Sequence, residues 1–391
     1  MLLGIGVKLI ELLLRQKLLG SGLKGKSNTP QIVSYAVTKA CNLNCLHCHV
    51  SARDAMADEL TLQEARHIIG EMAELGTEVL LFSGGEPLLR KEFVLELAEY
   101  CVDLGVLPAM LTNGVLLNHR VALELKEAGI LAVGIPIDSA VAECHDKLRN
   151  VPGAFEKAVK AIRACLDFDL KVVVTTMALR NDFSEIPQRL AFISKLGVDQ
   201  VAVYDLVPVG RGANVMDLAM TQAQRENLIK YIQQLQEDNE MVFSMSGGQP
   251  LYPEIVSEMH KLNGTKPKDL LLKQFWINAS VGCHAGIFYF SLRPNGDVYP
   301  CTFLPIKVGN VRDQSLRDIW YNSGVLKELR ERQLKGECGA CEYRATCGGC
   351  RGRAYACSGD YLASDPVCLR DLFKKENVYP STVKHFGWCV G

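Results

Sequence analysis

The chain has 391 residues, 48% of them hydrophobic, so it is long enough to build two or three domains with sizeable cores. Its 43 lysine and arginine residues are balanced by 44 aspartate and glutamate residues, which excludes a general attraction to nucleic acid or to an anionic membrane. The composition also excludes collagen-like, coiled-coil and disordered chains. The unusual count is that of cysteine, with 15 residues.

The N-terminal segment bears on the redox environment of these cysteines. Residues 1–20 are apolar but include Lys8, Glu11, Arg15 and Lys17 and lack a small-residue cleavage site, so we expect no secretory signal. No run of about 18 apolar residues predicts a transmembrane helix. We therefore expect a cytoplasmic protein, in which clustered cysteines bind metal more often than they form disulfides.

Residues 1–30 have the pattern of an amphipathic helix followed by a Gly, Ser and Lys-rich linker. This helix either docks on the body of the protein or lies at a membrane surface. The pattern leaves both interpretations open.

From Gln31 onward, short β-branched runs alternate with amphipathic helical stretches. The predicted strands are Ile32–Thr38, Val79–Ser83, Leu107–Thr112, Ala132–Ile137, Val172–Met177 and Gln200–Asp205, with a possible seventh at Met241–Met245. The predicted helices are Leu62–Leu75, Glu92–Asp103, Arg120–Ala128, Ala154–Cys165, Ile186–Leu196 and Gln222–Asp238. Six such units predict a parallel sheet in an α/β fold, a partial (β/α)6 TIM-like barrel over residues 31–245.

The C-terminal part has a different composition. After about Lys261 the chain is rich in Gly, Pro and Cys, with two short strand-like runs at Ile287–Leu292 and Val298–Thr302. We expect a bridging region at 246–280, a small Cys-rich iron–sulfur domain at 281–375 and a tail at 376–391. A domain of this size needs cross-links, and the cysteines would provide them.

The loop after the first predicted strand has the sequence TKACNLNCLHC, which contains Cys41, Cys45 and Cys48. Parallel α/β folds place their chemistry at this carboxyl edge of the sheet. Three thiolates this close bind three corners of a cubane cluster and leave its fourth iron open to another ligand. A Cys₃His zinc site that includes His47 or His49 is the alternative.

The second strand ends in the sequence FSGGEP, in which Gly84 and Gly85 expose backbone groups to a closely approaching ligand. A structural zinc site gives no reason for this motif. CxxxCxxC followed one βα unit later by GGEP resembles the radical S-adenosylmethionine superfamily, over about residues 33–205. The fold of that superfamily is a partial (β/α)6 barrel.

The resemblance implies a [4Fe–4S] cluster whose fourth iron is chelated by the amino and carboxylate groups of S-adenosylmethionine. It assigns the cluster to Cys41, Cys45 and Cys48, and the methionine amino group to Gly84, Gly85 and Glu86. One electron passed to the sulfonium then yields a deoxyadenosyl radical that abstracts hydrogen from an unactivated carbon. No side chain is predicted as a catalytic acid or base. His47 stands where the family has an aromatic residue beside the adenine, and histidine can still stack.

The later strand ends are expected to line the same pocket. The residues concerned are Asn113, Asp138, Ser139 and Thr176. Asp138 is predicted either to contact the ribose or to act as a helix cap for the segment that follows it. Pro136, inside the same strand, is unexpected in a sheet.

The C-terminal cysteines include a CxxCx₅CxxC series, which by its local pairs alone would suit a zinc ribbon. The whole series, from Cys283 to Cys368, resembles the SPASM domain of radical S-adenosylmethionine enzymes, which carries auxiliary iron–sulfur clusters. The resemblance assigns one [4Fe–4S] cluster to Cys338, Cys341, Cys347 and Cys368. It assigns a second, nearer the barrel, to Cys283, Cys301 and Cys350. One cysteine usual in this nearer site is missing, so one or two auxiliary clusters are expected.

The remaining cysteines are predicted to be structural, except for Cys357, whose role stays open. Cys101, Cys144, Cys165 and Cys389 lie singly in helical or tail contexts and are interpreted as small buried hydrophobic residues. His260 and His284 are interpreted as ordinary polar contacts, although His284 neighbours Cys283.

The substrate is suggested by shorter stretches, including VPVGRG and CGGCRGRAY. They resemble the haem-pathway subgroup of the superfamily, in particular its Fe-coproporphyrin decarboxylases, which make haem by the sirohaem route. This implies oxidative decarboxylation of propionates to vinyl groups, with an auxiliary cluster as electron acceptor. Carboxylates in a dry site need cationic partners, for which Arg149, Arg211 and Arg353 are the candidates.

Two further interpretations stay open. The enzyme could act on another haem precursor, as in didecarboxysirohaem deacetylation or nitrite-reductase haem synthesis, or on a ribosomal peptide or protein. The chain could also be an electron carrier or a zinc-binding interaction protein, but neither explains GGEP. The expected partners are a tetrapyrrole and an electron donor such as flavodoxin or ferredoxin, with no nucleic acid.

Overall fold

A computed structural model describes residues 28–238, 241–246, 282–345 and 347–368. Ten strands form one sheet: β1 (Ile32–Ala36), β2 (Val79–Ser83), β3 (Leu107–Leu111), β4 (Ala132–Pro136), β5 (Lys171–Ala178), β6 (Gln200–Asp205), β7 (Val242–Ser246), β8 (Tyr289–Leu292), β9 (Asp297–Tyr299) and β10 (Gly309–Asn310). The helices that flank it are α1 (Leu62–Glu74), α2 (Lys91–Asp103), α3 (His119–Glu127), α4 (Ala142–Arg149), α5 (Ala154–Leu166), α6 (Ile186–Ser194) and α7 (Gln222–Asp238). Four short helices lie in the C-terminal part: α8 (Leu316–Asn322), α9 (Gly324–Arg330), α10 (Gly336–Ala340) and α11 (Arg351–Ser358).

The strand order is β10-β9-β8-β1-β2-β3-β4-β5-β6-β7. Strands β1 to β7 pair in parallel with their neighbours in sequence, as successive βα units require. Strand β8 adds to the other side of β1, also in parallel, so that Ile32 lies between Val79 and Tyr289. The C-terminal region therefore extends the barrel sheet.

The hydrophobic pattern explains why the helices pack on the sheet. Helix α1 begins at a capping box in which Thr61 and Glu64 bind each other's backbone N–H groups, and it buries one apolar face that includes Ile69 and Met72. Strands such as β1 are buried along almost their whole length, as expected for a sheet covered by helices.

The C-terminal helices share this core. Trp320 of α8 is buried and packs against Phe290 of β8, with ring centroids 6.0 Å apart. The Trp320 indole N–H also donates to the backbone carbonyl of Asn28. Cross-links are thus not the sole support of the Cys-rich region, because part of it packs directly on the barrel.

The predicted fold class is confirmed: the chain forms an α/β structure with a parallel sheet, and the seventh strand is present. Features that were not predicted include the pairing of β8 with β1, the short helix α4 and the four C-terminal helices. Three predicted segments lie outside the described residues, apart from 28–30 and 246: the N-terminal helix and linker at 1–30, the bridging region at 246–280 and the tail at 376–391. Within the described part, no helix is long and apolar enough to cross a membrane.

Candidate active site

The carboxyl ends of the strands surround a cavity of about 510 Å³. Its wall includes residues from the loop after β1, from the ends of β2 to β6, and from the segment that follows β8. Pro136 is the last residue of β4. Because it stands at the end of the strand, its missing N–H does not break the ladder of hydrogen bonds inside the sheet. The cavity thus lies where a parallel α/β fold places its chemistry.

The three cysteines of the loop after β1 all line this cavity. The backbone N–H of Leu43 donates to Cys41 Sγ at 3.4 Å, and that of Ala52 donates to Cys48 Sγ at 3.4 Å. Cys45 Sγ faces Arg149 Nη1 at 3.9 Å. N–H donors of this kind stabilise the thiolates that bind an iron–sulfur cluster, so the three thiols fit that role.

Backbone contacts hold the GGEP motif against the cysteine loop. The N–H of Gly85 donates to Thr38 O at 2.8 Å, and the N–H of Glu86 donates to Ala40 O at 2.8 Å. A Cβ on Gly85 would lie 2.0 Å from Ala40 O, and one on Gly84 would lie 2.4 Å from Thr38 O. The glycines are therefore required by the close approach of two loops, and both also line the cavity.

The Glu86 side chain is fully buried and connects the ends of β2 and β3. Its carboxylate accepts from Thr112 Oγ1 at 2.7 Å and from the backbone N–H groups of Asn113 and Leu88 at 2.8 and 3.0 Å. Burial raises the pKa of Glu86, although these hydrogen bonds oppose the shift. Gly84 and Gly85 reach the cavity, whereas the Glu86 carboxylate positions the loops around it.

The residues at the ends of β3 to β5 also hold one another in place. Asn113 lines the cavity and donates to Asn42 Oδ1 at 2.6 Å. Asp138 lines it as well, and its Oδ1 accepts from the backbone N–H of Met177 at 2.9 Å. Ser139 accepts from the backbone N–H of Val141, the residue that precedes α4.

Asp138 does not cap α4, which begins after Val141 without a side-chain cap. Its carboxylate instead forms an ion pair with Arg149, 2.6 Å from Nη2. Burial opposes its ionisation, but the Arg149 guanidinium outweighs that effect and holds the pKa of Asp138 below its ordinary value. Thr176 is buried at the cavity wall and accepts from Arg189.

Two histidines of the cysteine loop line the cavity in their neutral forms. Desolvation lowers the pKa of His47 to about 3 and that of His49 to about 4. Nδ1 of His47 is buried without a partner in the described structure, so it offers a polar atom to a ligand in the cavity. His49 Nε2 lies 2.8 Å from Thr302 Oγ1 and so connects the barrel to the C-terminal region.

Three C-terminal cysteines, Cys283, Cys301 and Cys350, line the same cavity as the loop cysteines. The backbone N–H of Phe303 donates to Cys301 Sγ at 3.5 Å, and that of Arg353 donates to Cys350 Sγ at 3.4 Å. Burial raises the pKa of the Cys350 thiol to about 12, although the Arg353 guanidinium opposes the shift. The structure brings together the three cysteines that were assigned to the nearer auxiliary cluster.

The other auxiliary cysteines lie away from the cavity. Cys338 Sγ accepts from the backbone N–H of Asp365 at 3.4 Å, and Cys347 Sγ accepts from that of Gly349 at 3.3 Å. A Cβ on Gly349 would lie 3.3 Å from Cys338 Sγ, so both thiols lie beside this glycine. Cys341 follows α10 directly, and Cys368 O accepts from Gln222 of α7.

The predicted arginines have different surroundings. Arg149 and Arg211 line the cavity. Arg211 donates to the carbonyl oxygens of Cys45 and Ala52 at 2.8 and 2.9 Å, so it also supports the cysteine loop. Arg353 lies outside the cavity wall, which does not favour its predicted contact with substrate.

Arg353 instead belongs to a buried ion network between the barrel and the C-terminal region. Its Nε and Nη2 donate to the two carboxylate oxygens of Asp365, and its Nη1 donates to Asp205 at the end of β6. Asp205 also binds Arg225 of α7 at 2.7 Å, and Asp365 accepts from the backbone N–H of Cys350. The network therefore links the barrel to an auxiliary cysteine.

Sequence reasoning missed Arg293, Tyr289 and Asp205 of the cavity wall. Asp205 is the last residue of a predicted strand, and this position could have predicted that it lines the cavity. Arg293 and Tyr289 reach the cavity only because β8 pairs with β1, which no local pattern indicates.

The other cysteines lie apart from the two cavity groups. Cys101 and Cys165 are fully buried in the core, where desolvation raises both pKa values to about 12. Cys144 is half-buried beside a separate small cavity, and Cys357 is exposed at the end of α11. Cys389 and His260 lie outside the described residues, and His284 packs against Phe288 at the cavity.

No disulfide joins cysteines in the described part of the chain. Among those residues, no three His, Cys, Asp or Glu side chains surround a single point where one metal ion could bind. The thiols with their N–H donors fit the larger iron–sulfur clusters.

Comparison with known proteins agrees with this geometry. Residues 35–204 match the radical SAM superfamily model, and residues 283–348 match the SPASM iron–sulfur cluster-binding domain. The chain is 36% identical over 352 residues to the AdoMet-dependent heme synthase of Methanosarcina barkeri, covering 89% of this chain and 99% of that protein. It is 30% identical over 356 residues to the enzyme of the same name from Oleidesulfovibrio alaskensis, covering 90% of each.

The fold is similar to that of Streptococcus suis SuiB bound to S-adenosylmethionine. The TM-score is 0.67 at 17% identity, covering 87% of this chain and 77% of SuiB. The chain is therefore an enzyme of the radical SAM superfamily, which binds a [4Fe–4S] cluster with S-adenosylmethionine in its barrel and auxiliary iron–sulfur clusters in its SPASM domain.

Proposed function

We propose that this enzyme converts propionate side chains of Fe-coproporphyrin to vinyl groups, with loss of CO₂, to give haem b. The observation that supports it best is the cavity itself. Cysteines of both groups line it, and so do two arginines, Arg211 and Arg293, that have no acidic partner within 4 Å in the described structure. A carboxylate-rich substrate suits such a wall, because a buried carboxylate needs a cationic partner.

The names of the relatives point the same way. Two proteins that match about nine-tenths of this chain are called AdoMet-dependent heme synthase. Similarity of that extent supports a shared substrate class.

The residues of the chain would do three things in this reaction. Cys41, Cys45 and Cys48 would hold the cluster, while Gly84 and Gly85 shape the adjoining wall for S-adenosylmethionine. When bound, the cluster and S-adenosylmethionine supply an organic radical that removes hydrogen from an unactivated carbon. The cavity wall would hold the propionate in position and exclude water.

The reaction balances as follows for each propionate. One hydrogen atom would leave the β-carbon, the bond to the carboxylate carbon would break to release CO₂, and the remaining electron would require an oxidised iron–sulfur cluster as its acceptor. The remaining two carbons form the vinyl group, and no acid or base is required. Cys283, Cys301 and Cys350 line the same cavity and are placed to hold such an acceptor. We further propose flavodoxin or ferredoxin as the electron donor and a cytoplasmic location.

The test is an anaerobic reaction of the reconstituted enzyme with Fe-coproporphyrin, S-adenosylmethionine and a strong reductant, followed by mass spectrometry. We expect two successive losses, each of one CO₂ and two hydrogen atoms, and none with Cys41→Ala. An unchanged porphyrin would contradict the proposal. Parallel reactions with other haem precursors and with a candidate peptide would then identify the alternative substrate.

A further inference from the structure

Three arginine side chains line the cavity, and they differ in how their charges are satisfied. Arg149 is paired with Asp138. Arg211 donates from two of its nitrogens to backbone carbonyl oxygens. The Arg293 guanidinium makes a single hydrogen bond in the described structure, from Nη2 to Thr302 O at 3.2 Å.

The surroundings of Arg293 hold its guanidinium at the wall without a direct ion pair in the described structure, although the more distant Asp297 carboxylate favours its charge. The residue begins the turn between β8 and β9, where its backbone N–H donates to Asp297 O at 2.8 Å. Its guanidinium carbon lies 4.8 Å from the centre of the Tyr299 ring. No carboxylate of the described residues lies within 4 Å of it, and burial lowers the pKa of Arg293. A half-buried cation of this kind is costly unless an anion joins it.

Arg293 lies on the part of the cavity wall that is close to the auxiliary cysteines. Thr302, its hydrogen-bond partner, directly follows Cys301 of the nearer auxiliary group. The same Thr302 contacts His49, one residue after Cys48. Arg293 therefore lies where the barrel cysteines and the auxiliary cysteines come together.

We infer that Arg293 binds a carboxylate in this cavity, and that this carboxylate belongs to the substrate. The inference rests on the proposed function, which makes that carboxylate a propionate. S-adenosylmethionine also carries a carboxylate. Arg293, however, binds Thr302, which follows Cys301 of the nearer auxiliary group, and this position favours the carboxylate of the substrate. A planar guanidinium can bind a carboxylate through two parallel hydrogen bonds, so it would fix the orientation of the porphyrin as well as its charge.

The experiment compares the reconstituted wild-type enzyme with Arg293→Gln, Arg293→Lys and the control Arg317→Gln. Arg317 is exposed and also lies over a tyrosine ring, that of Tyr321 at 5.7 Å, but it is not part of the cavity wall. Each variant is titrated with Fe-coproporphyrin and with its tetramethyl ester, followed by the porphyrin absorption band. S-adenosylmethionine binding is measured separately, and iron content confirms that each variant is loaded equally.

We expect Arg293→Gln to weaken binding of Fe-coproporphyrin by roughly 10- to 100-fold, the loss typical of a hydrogen bond to a charged group. Arg293→Lys should lose less, because it keeps the charge but not the planar donor pair. Arg317→Gln should bind as the wild type does. The tetramethyl ester, which has no carboxylate, should bind the wild type and Arg293→Gln equally. In the reaction with Fe-coproporphyrin, Arg293→Gln should change KM more than kcat.

Equal affinity of Arg293→Gln and wild type for Fe-coproporphyrin would overturn the inference. A loss of S-adenosylmethionine binding with porphyrin binding intact would also overturn it, because the anchored carboxylate would then belong to the cofactor. If the wild-type enzyme itself bound no Fe-coproporphyrin, the proposed function would fail, and the substrate on which the inference rests would fail with it.

Discussion

The two groups of cysteines at the cavity are built in different ways. Cys41, Cys45 and Cys48 lie in one short loop, and their donors come from the same loop, from Asn113 after β3 and from Arg149 at the end of α4. Cys283, Cys301 and Cys350 come from three separate segments. The first group is thus specified by local sequence, whereas the second depends on how the C-terminal region packs on the barrel.

This difference shows where each group is vulnerable. The loop is held by backbone contacts with the GGEP motif and by Arg211. The C-terminal group relies on long-range contacts, among them the pairing of β8 with β1 and the buried network of Arg353. Substitutions in the two regions should therefore separate cluster chemistry from domain assembly.

The largest effect is expected from Cys41→Ala, which removes one of three ligands in a single loop. We expect loss of roughly four iron atoms per chain and of detectable S-adenosylmethionine cleavage, with auxiliary iron retained. Iron and sulfide analysis together with deoxyadenosine assays would check this. Full cleavage activity in the variant would contradict the assignment of the loop.

The next effect concerns the network between the two regions. Arg353→Ala leaves Asp205 and Asp365 buried with fewer partners, which should destabilise the protein by about 3–5 kcal/mol. Thermal unfolding of the loaded enzyme under anaerobic conditions measures the change, with Arg317→Ala as the surface control. We also expect loss of auxiliary iron before barrel iron, and the opposite order would show that the network does not support the C-terminal group.

Gly85→Ala should destabilise the protein less than Arg353→Ala, and its effect should be confined to the GGEP loop. Its Cβ would meet Ala40 O at 2.0 Å, so the GGEP loop must move away from the cysteine loop, at a cost of about 1–3 kcal/mol. We expect weaker S-adenosylmethionine binding in an isothermal titration while the auxiliary iron stays in place. Gly324→Ala is the matched control, since a Cβ there meets nothing within 4 Å. Equal binding by both variants would contradict the packing role of Gly85.

The smallest effect is expected from the exposed pair of Glu64 in α1 and Arg312, which joins the barrel to the C-terminal region. Hydrogen bonds from Arg312 and then from Thr61 lower the pKa of Glu64 to about 2. Because this value lies below the ordinary one, the contribution is fully present above about pH 4.5 and is lost as the pH falls towards 2. The pair is solvent-exposed, so Arg312→Gln should cost less than about 1 kcal/mol.

The pH dependence provides the check for this pair. Chemical unfolding of wild type and Arg312→Gln should differ by a constant amount between pH 5 and 7 and should converge in acid. A difference that grew in acid would have the wrong sign for a carboxylate with a lowered pKa.

Local sequence patterns predicted most of the barrel and the cysteine loop, because periodicity and short motifs depend on residues close together in the chain. They missed α4, which begins at Ala142 without a capping side chain, and the four short C-terminal helices. They also missed Arg293, which reaches the cavity only through a strand pairing with no local signature. Arg353 was predicted near substrate because it lies in a cysteine-rich motif, but it pairs with Asp365, 12 residues away, and with Asp205, 148 residues away, and no local pattern indicates the second contact.

The central claim is that both cysteine groups act on one substrate across a shared cavity. Its most direct test measures deoxyadenosine and haem formed from Fe-coproporphyrin by wild type, Cys41→Ala and Cys350→Ala. We predict one deoxyadenosine per vinyl group in wild type, neither product with Cys41→Ala, and deoxyadenosine with little haem with Cys350→Ala. Haem formation by Cys350→Ala at the wild-type rate and yield would contradict the claim.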